Sequence, residues 1–262
     1  MDMNLSGKRA LVGGSTQGIG RAAAVELASL GATVTLIARN AEALSAVAAE
    51  LPRPVGQAHG IVVADFANPE AVGTAIRAEI DPSRPFHVLV NNTGGPPGGP
   101  AHDAAPDAFV VAFKTHLVSF QVLVKALIPG MRSAGYGRII NIISTSVKAP
   151  IPNLGVSNTI RAAVANWGKT LAHELGPFGI TVNNILPGFT DTARLAELFK
   201  ARAAKTGKPY QQVVDEAIAT IPAGRLGRPE EIAAAVAFLA SPAAGYINGI
   251  NLPVDGGRTQ SL

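Results

Sequence analysis

Short apolar runs alternate with longer stretches whose apolar residues recur at helical spacing, and the alternation persists along the whole chain. The run Lys8–Val12 is followed by Ile19, Ala22, Ala23, Leu27 and Leu30, a helical repeat extending over Ile19–Leu30. Thr33–Ala38 precedes the Ala-rich Ala41–Leu51, and Ile61–Ala64 precedes Pro69–Ile80. Val88–Val90 leads to Ala105–Met131, and Arg138–Ile143 to Ser157–Leu175. Ile180–Leu186 adds a sixth strand, and Ile250–Val254 a last one after the helix Glu230–Ala240. Strands built from near-continuous Val, Ile and Leu are those covered on both faces, so the pattern predicts a parallel sheet between two helical layers. Right-handed crossovers then give an α/β, Rossmann-type doubly wound sheet of about seven strands in order 3-2-1-4-5-6-7, with residues 1–262 as a single domain. The Gly-rich and polar loops follow strands. They converge on one edge of the sheet, where such folds bind ligands.

Composition narrows the class. The Gly-Pro cluster Gly94–Pro100 is the only low-complexity stretch and lies between elements, so it reads as a shaped loop. With 22 basic and 18 acidic residues the net charge is +4, its cations are scattered, and aromatics are 5%, which leaves no stacking platform for nucleic acid. The absence of cysteine excludes disulfides and thiolate chemistry. Met1–Leu5 is no basic-then-apolar leader, and no apolar run reaches the roughly 18 residues of a membrane helix. A cytoplasmic protein with a small-molecule partner is expected, with no nucleic acid, membrane or metal.

The loop Gly14-Ser15-Thr16-Gln17-Gly18-Ile19-Gly20 stands where the first strand hands over to the first helix. Glycine lets the backbone turn tightly and approach a pyrophosphate, while the helix N-terminus supplies partial positive charge. The loop therefore reads as a dinucleotide clamp, the competing reading being a strand-to-helix turn that needs small residues. The second strand ends at Ala38-Arg39-Asn40 with no carboxylate to accept from a ribose 2′-hydroxyl, so Arg39 favours a 2′-phosphate and NADP(H) over NAD(H). A solvated arginine is the alternative.

Taken with Asn91-Asn92-Thr93-Gly94, Ser144, Pro187-Gly188, Asp255-Gly256-Gly257, Gly179–Asn183 and Gly224–Ala233, the loop makes the chain resemble the short-chain dehydrogenase/reductase family over nearly its full length. By overall flavour it resembles the branch containing 3-oxoacyl-acyl-carrier-protein reductases. The resemblance implies that Asp65 and Phe66, after the third strand, meet the adenine, against an Asx turn before Pro69 as the local reading. It implies that Asn91–Gly94 lines the adenine ribose, that Pro187, Gly188 and Phe189 hold the nicotinamide amide, and that Thr192 meets the phosphates. Residues 193–221 resemble a mobile substrate lid, or else a solvated charged face. A homotetramer or dimer through the two long helices is implied as well.

The family's proton-transferring tyrosine, and the lysine four residues later, have no counterpart here. Thirteen residues past Ser144 stands Ser157, with Arg161 at the lysine position and His116 where the preceding long helix has an asparagine. An aliphatic hydroxyl is a far weaker acid than a phenol, and a guanidinium binds ribose hydroxyls without relaying protons. His116, acting with Ser144, is a candidate general acid, against a packing role. Lys148 is a candidate for attracting an acidic substrate or polarising a carbonyl, against a plain surface lysine. Tyr136, Tyr210 and Tyr246 offer no stand-in. Two functions follow: an NADP(H)-linked carbonyl or alcohol oxidoreductase with an atypical active site, or a nucleotide-binding sensor or scaffold without turnover.

Overall fold

The computed structural model describes residues 1–261. Seven parallel strands, β1 (Arg9–Gly13), β2 (Thr33–Ala38), β3 (Gly60–Val63), β4 (Val88–Asn91), β5 (Gly137–Ile142), β6 (Ile180–Pro187) and β7 (Asn251–Val254), lie in the predicted order β3-β2-β1-β4-β5-β6-β7. Helices α1 (Gly18–Ser29), α2 (Ala41–Glu50) and α9 (Pro229–Ala240) belong to one layer. Their apolar faces join Val12, Leu36, Val88, Val90 and Ile185 in a core from which water is excluded. Helices α3 (Pro69–Ala78), α4 (Pro106–Phe113), α5 (Ser119–Ser133) and α6 (Gly155–Leu175) belong to the other layer. There Phe120, Leu123, Val164 and Leu171 pack on Leu11, Leu89, Ile139 and Val182. Side chains of successive strand residues thus feed opposite cores, which is why the strands are apolar throughout.

Three features depart from the pattern expected of the sequence. The long helix is not uniformly α-helical, because Lys114–Val118 forms a π turn between α4 and α5 and His116 sits within it. By length and composition the continuous helix Pro106–Ser133 is long and apolar enough to cross a membrane, although no uninterrupted apolar run of that length exists. It packs against α3, α6 and β5. The strands also carry a row of asparagines, buried at Asn91, Asn141 and Asn184 and exposed at Asn251: Asn91 Nδ2 donates to Asn141 Oδ1, Asn141 Nδ2 to Asn184 Oδ1, and Asn184 Nδ2 to Asn251 Oδ1, each at 2.8 Å. The four are register partners on adjacent strands β4 to β7, so their amides form one continuous chain across the sheet.

The predicted lid is a pair of helices, α7 (Ala193–Thr206) and α8 (Tyr210–Ile218). Leu195, Phe199, Val213 and Ala217 give it a small apolar core separate from the two main ones, with Phe189 and Leu226 packed alongside.

Candidate active site

The loops at the carboxyl ends of β1, β4, β5 and β6 enclose, with α6 and α7, a cleft of about 290 Å³. Its walls bring together Gly14, Gln17, Gly18 and Ile19 from the first loop, Asn92–Pro96 after β4, Ser144 after β5, Ser157 and Arg161 from α6, and Pro187–Phe189 and Thr192 after β6.

The glycine loop is held from behind. Gly14 and Gly18 have positive φ, 57° and 54°, a conformation that L side chains avoid. Asn92 Nδ2 donates to the carbonyl oxygens of Gly13 (3.1 Å) and Gly14 (3.4 Å). A Cβ on Gly20 would strike the Gly14 carbonyl oxygen and lie 2.7 Å from Asn92 Nδ2, so only glycine lets α1 start so close to the loop. No side chain caps α1 at Gln17, so its first N–H groups remain open to an anion. Thr192 Cγ2 lies 3.2 Å from where a Gly18 Cβ would stand, and its Oγ1 caps α7 by accepting from Leu195 N. Ser15 and Thr16 complete the loop, and Ser15 Oγ is buried without a protein partner.

Flanking residues divide between cleft and frame. Arg39 is exposed just past β2, which is tied to the glycine loop by Gly14 N donating to Ile37 O at 2.9 Å. Asp65 Oδ1 accepts from Ala67 N at 2.9 Å, so the Asx turn is present; the side chain is exposed and does not line the cleft. The ring of Phe66 is buried edge-on to Phe120, and its carbonyl oxygen accepts from Ser119 Oγ at 2.6 Å. Asn91 is wholly buried in the asparagine row, and its Oδ1 has no partner. Gly94 has open space about it, and Gly188 packs under Asp255.

Among the catalytic candidates, Ser144 and Ser157 are half-buried in the wall, with Ser144 Oγ accepting from Ser146 N at 3.1 Å. Arg161 is only 7% exposed, and its Nη1 donates to Ile142 O at 2.9 Å. His116 is 1% exposed, does not line the cleft and leaves Nδ1 unpartnered. Burial, and secondarily the Arg161 charge, push its imidazole down to about 2. Burial therefore favours the neutral ring, and the general-acid role expected of His116 with Ser144 has no support from the lining of the cleft. Lys148 lies outside the cleft wall, and so do Tyr136, Tyr210 and Tyr246.

Two wall residues carry no signal in the sequence pattern. Arg194, on the charged helix read as lid or solvated face, donates from Nη2 to Pro96 O at 2.6 Å and so joins α7 to the β4 loop. Arg258, near the chain end, stacks over the Phe189 ring at 4.2 Å. Both are hidden because surface arginines are common in such stretches, and only tertiary closure turns these inward.

Comparison with known proteins agrees with this geometry. Residues 14–259 match a family model described as enoyl-(acyl carrier protein) reductase. The chain is 37% identical to a 3-oxoacyl-[acyl-carrier-protein] reductase of Pseudomonas aeruginosa, covering 99% of this chain and 100% of that one. It is 31% identical to the NADPH-dependent reductase BacG of Bacillus subtilis over 98% of this chain and 100% of the relative. The crystal structure of L-sorbose reductase from Gluconobacter frateurii complexed with NADPH and L-sorbose superimposes with a TM-score of 0.92 at 32% identity, over 100% of both chains. With its sheet order, glycine loop and these full-length matches, the chain belongs to the short-chain dehydrogenase/reductase family.

Proposed function

We propose that this protein is an NADP(H)-dependent oxidoreductase interconverting carbonyl and alcohol groups, with Ser157 and Arg161 standing where its family has a tyrosine and a lysine. One observation carries the reading: the uncapped N-terminus of α1 and its glycine loop open into the same cleft as Ser144, Ser157 and Arg161. The residues present fit a dinucleotide. The first N–H groups of α1 have no side-chain cap, and Thr192 faces Gly18. Arg39, exposed beside the loop, would take the 2′-phosphate. NADPH-binding neighbours among the matched proteins support this choice.

When bound, the nucleotide supplies or accepts a hydride. The chain's own residues do the rest. Ser144 and Ser157 line the cleft, and a serine hydroxyl there can hydrogen-bond a carbonyl oxygen. Arg161, fixed by Ile142, places positive charge where negative charge develops on that oxygen. Neither serine matches a phenol as an acid, so slow turnover is expected. Neither His116 nor Lys148 lines the cleft. The test is fluorescence titration with NADPH and NADH, followed by NADPH oxidation against a panel of ketones and aldehydes. Tight NADPH binding with measurable oxidation supports the assignment. No association of either nucleotide at millimolar concentration overturns it.

A nucleotide-binding sensor or scaffold is favoured instead by one observation, that no tyrosine lines the cleft among the described residues. NADPH binding without oxidation of any panel compound would select it. A homotetramer or dimer through α4, α5 and α6 fits the exposed Val110, Val111 and Phe113 on α4, and sedimentation would decide it.

A further inference from the structure

The cleft wall contains three arginines, Arg161, Arg194 and Arg258, and no aspartate or glutamate. Arg258 is the least available, since Asp255 lies close enough to favour its charge and its Nε donates to Thr220 Oγ1 at 3.2 Å. Arg161 lacks such compensation, and Arg194 has little of it. Among the described residues no carboxylate pairs with Arg161, whose guanidinium rests on the neutral Ile142 carbonyl. The carboxylate beside Arg194 is Glu197, 3.7 Å from Nη1 and solvent-exposed, the kind of ion pair that contributes little.

These two guanidinium groups converge. A Cβ built on Gly95 would lie 3.6 Å from Arg161 Nη2 and 3.9 Å from Arg194 Nη2, so both forks face one corner of the wall. Burial first, and then the Arg194 charge, draw the Arg161 guanidinium down to about 10, still charged at neutral pH. A buried cation next to a like charge is costly unless an anion joins it. The surroundings describe what else the ligand carries. Leu198, one turn past Arg194, and Leu154 approach the same loop at Gly98, with Cδ2 atoms 3.8 and 3.6 Å from where its Cβ would stand, and Ile151 lines the wall too.

We infer that the corner at Gly95 is an anion subsite, in which Arg161 and Arg194 grip the carboxylate of an acidic carbonyl compound with an apolar body. This deepens the oxidoreductase reading and rests on it for the carbonyl, though not for the charge. The carboxylate would lie between the two forks, its oxygens accepting from Nη2 of each, while the apolar body lies under Leu154 and Leu198. The nucleotide diphosphate is the competing anion, because Arg194 stands two residues past Thr192, and the experiment separates the two.

The experiment compares benzoylformate with its methyl ester, the same aryl ketone with and without charge. Calorimetry is run on protein saturated with NADP⁺, which cannot reduce either probe, and on the free protein. Benzoylformate should bind at least about tenfold tighter than the ester. That gap should collapse in Arg194→Met, a half-exposed position that tolerates truncation, and survive in Arg161→Lys, which keeps the charge. Equal binding of acid and ester overturns the inference, and so does a gap that persists in Arg194→Met. If Arg194→Met weakens NADP⁺ and leaves the acid preference intact, the arginine serves the nucleotide and the inference is again wrong. Failure of NADP⁺ to bind would overturn the parent reading alone, since the probe comparison on free protein still reports on the corner.

Discussion

Arg161 Nη1 donates to the Ile142 carbonyl oxygen at 2.9 Å, so a residue of α6 is fastened to the last residue of β5 at the point where Ser144 begins the cleft wall. This bond holds the guanidinium, which lines the cleft, against the end of β5. If the scaffold still presents a reaction-ready nicotinamide, the double substitution Ser157→Tyr with Arg161→Lys should raise NADPH oxidation by about 10²-fold, the scale of a positioned general acid. Steady-state rates on a ketone panel would show it. An unchanged rate with intact NADPH affinity would mean that the nucleotide is held unproductively.

A second expectation concerns the glycine loop. Gly20→Ala drives a methyl into the Gly14 carbonyl and the Asn92 amide, and should cost about 1–3 kcal/mol of stability and weaken nucleotide binding. Gly94→Ala, with nothing within 4 Å, should leave stability unchanged in urea denaturation. Equal effects at both positions would contradict the packing described for Asn92.

Much of the fold and part of the site are legible in the order of residues alone. Apolar strands alternating with amphipathic helices specify a sheet covered on both faces, and the strand order follows from crossover handedness. The glycine loop is legible because few other roles demand that spacing at a strand–helix junction. The pairing of Asn91 with the asparagines of β5 to β7 is not, since a polar residue in an apolar strand has no partner until its neighbours in register are known. Arg194 is hidden for a related reason: on a charged helix, direction decides between solvent and cleft, and direction comes from tertiary packing. The Arg225 fork onto Glu231, which in turn accepts from Arg228 N to start α9, shows the reverse case. A conspicuous sequence phrase proves to be a helix cap.

The asparagine row itself is testable. Asn141 both accepts from Asn91 and donates to Asn184, so Asn141→Ala strands a buried donor and a buried acceptor at once. A loss of about 2–4 kcal/mol is expected from the two desolvated groups. Asn251, exposed at the edge, should cost much less when replaced by alanine. Similar losses at both sites in denaturant titrations would mean that the row does not act as a chain.

Acid should unfold the protein through its histidines. Burial first, then Lys8 and Arg9, depress His87 from 6.5 to about 4, and His116 is depressed from 6.5 to about 2. Both are neutral in the folded state, so below pH 6.5 the unfolded chain takes up protons that the native state refuses. Their contribution is fully present above that value and is lost as pH falls toward 4 for His87 and beyond for His116. Each should steepen the decline by at most about 1.4 kcal/mol per pH unit. Urea titrations between roughly pH 5 and 7 should show a shallower decline in His116→Gln than in the parent protein. Parallel curves would refute the depression at His116.

Nucleotide selectivity offers the last test. Gly13 pairs with Ile37 in the β1–β2 register and Gly14 N bonds to Ile37 O, so the end of β2 is fixed beside the glycine loop. Arg39 follows two residues later with its side chain in solvent, and Asn40 caps α2, which pins the backbone on the other side. The arginine is therefore exposed at its tip and fixed at its base, able to fork around a 2′-phosphate but with no acceptor for the proton of a neutral 2′-hydroxyl. Arg39→Asp replaces that fork with an acceptor suited to the hydroxyl and a charge that repels the phosphate. NADPH affinity should fall by at least about tenfold while NADH affinity holds or rises, a change of some 1.4 kcal/mol in selectivity. If fluorescence titrations give the same NADPH to NADH ratio before and after the substitution, Arg39 is only a solvated side chain at a strand end and the preference must be sought elsewhere in the loop.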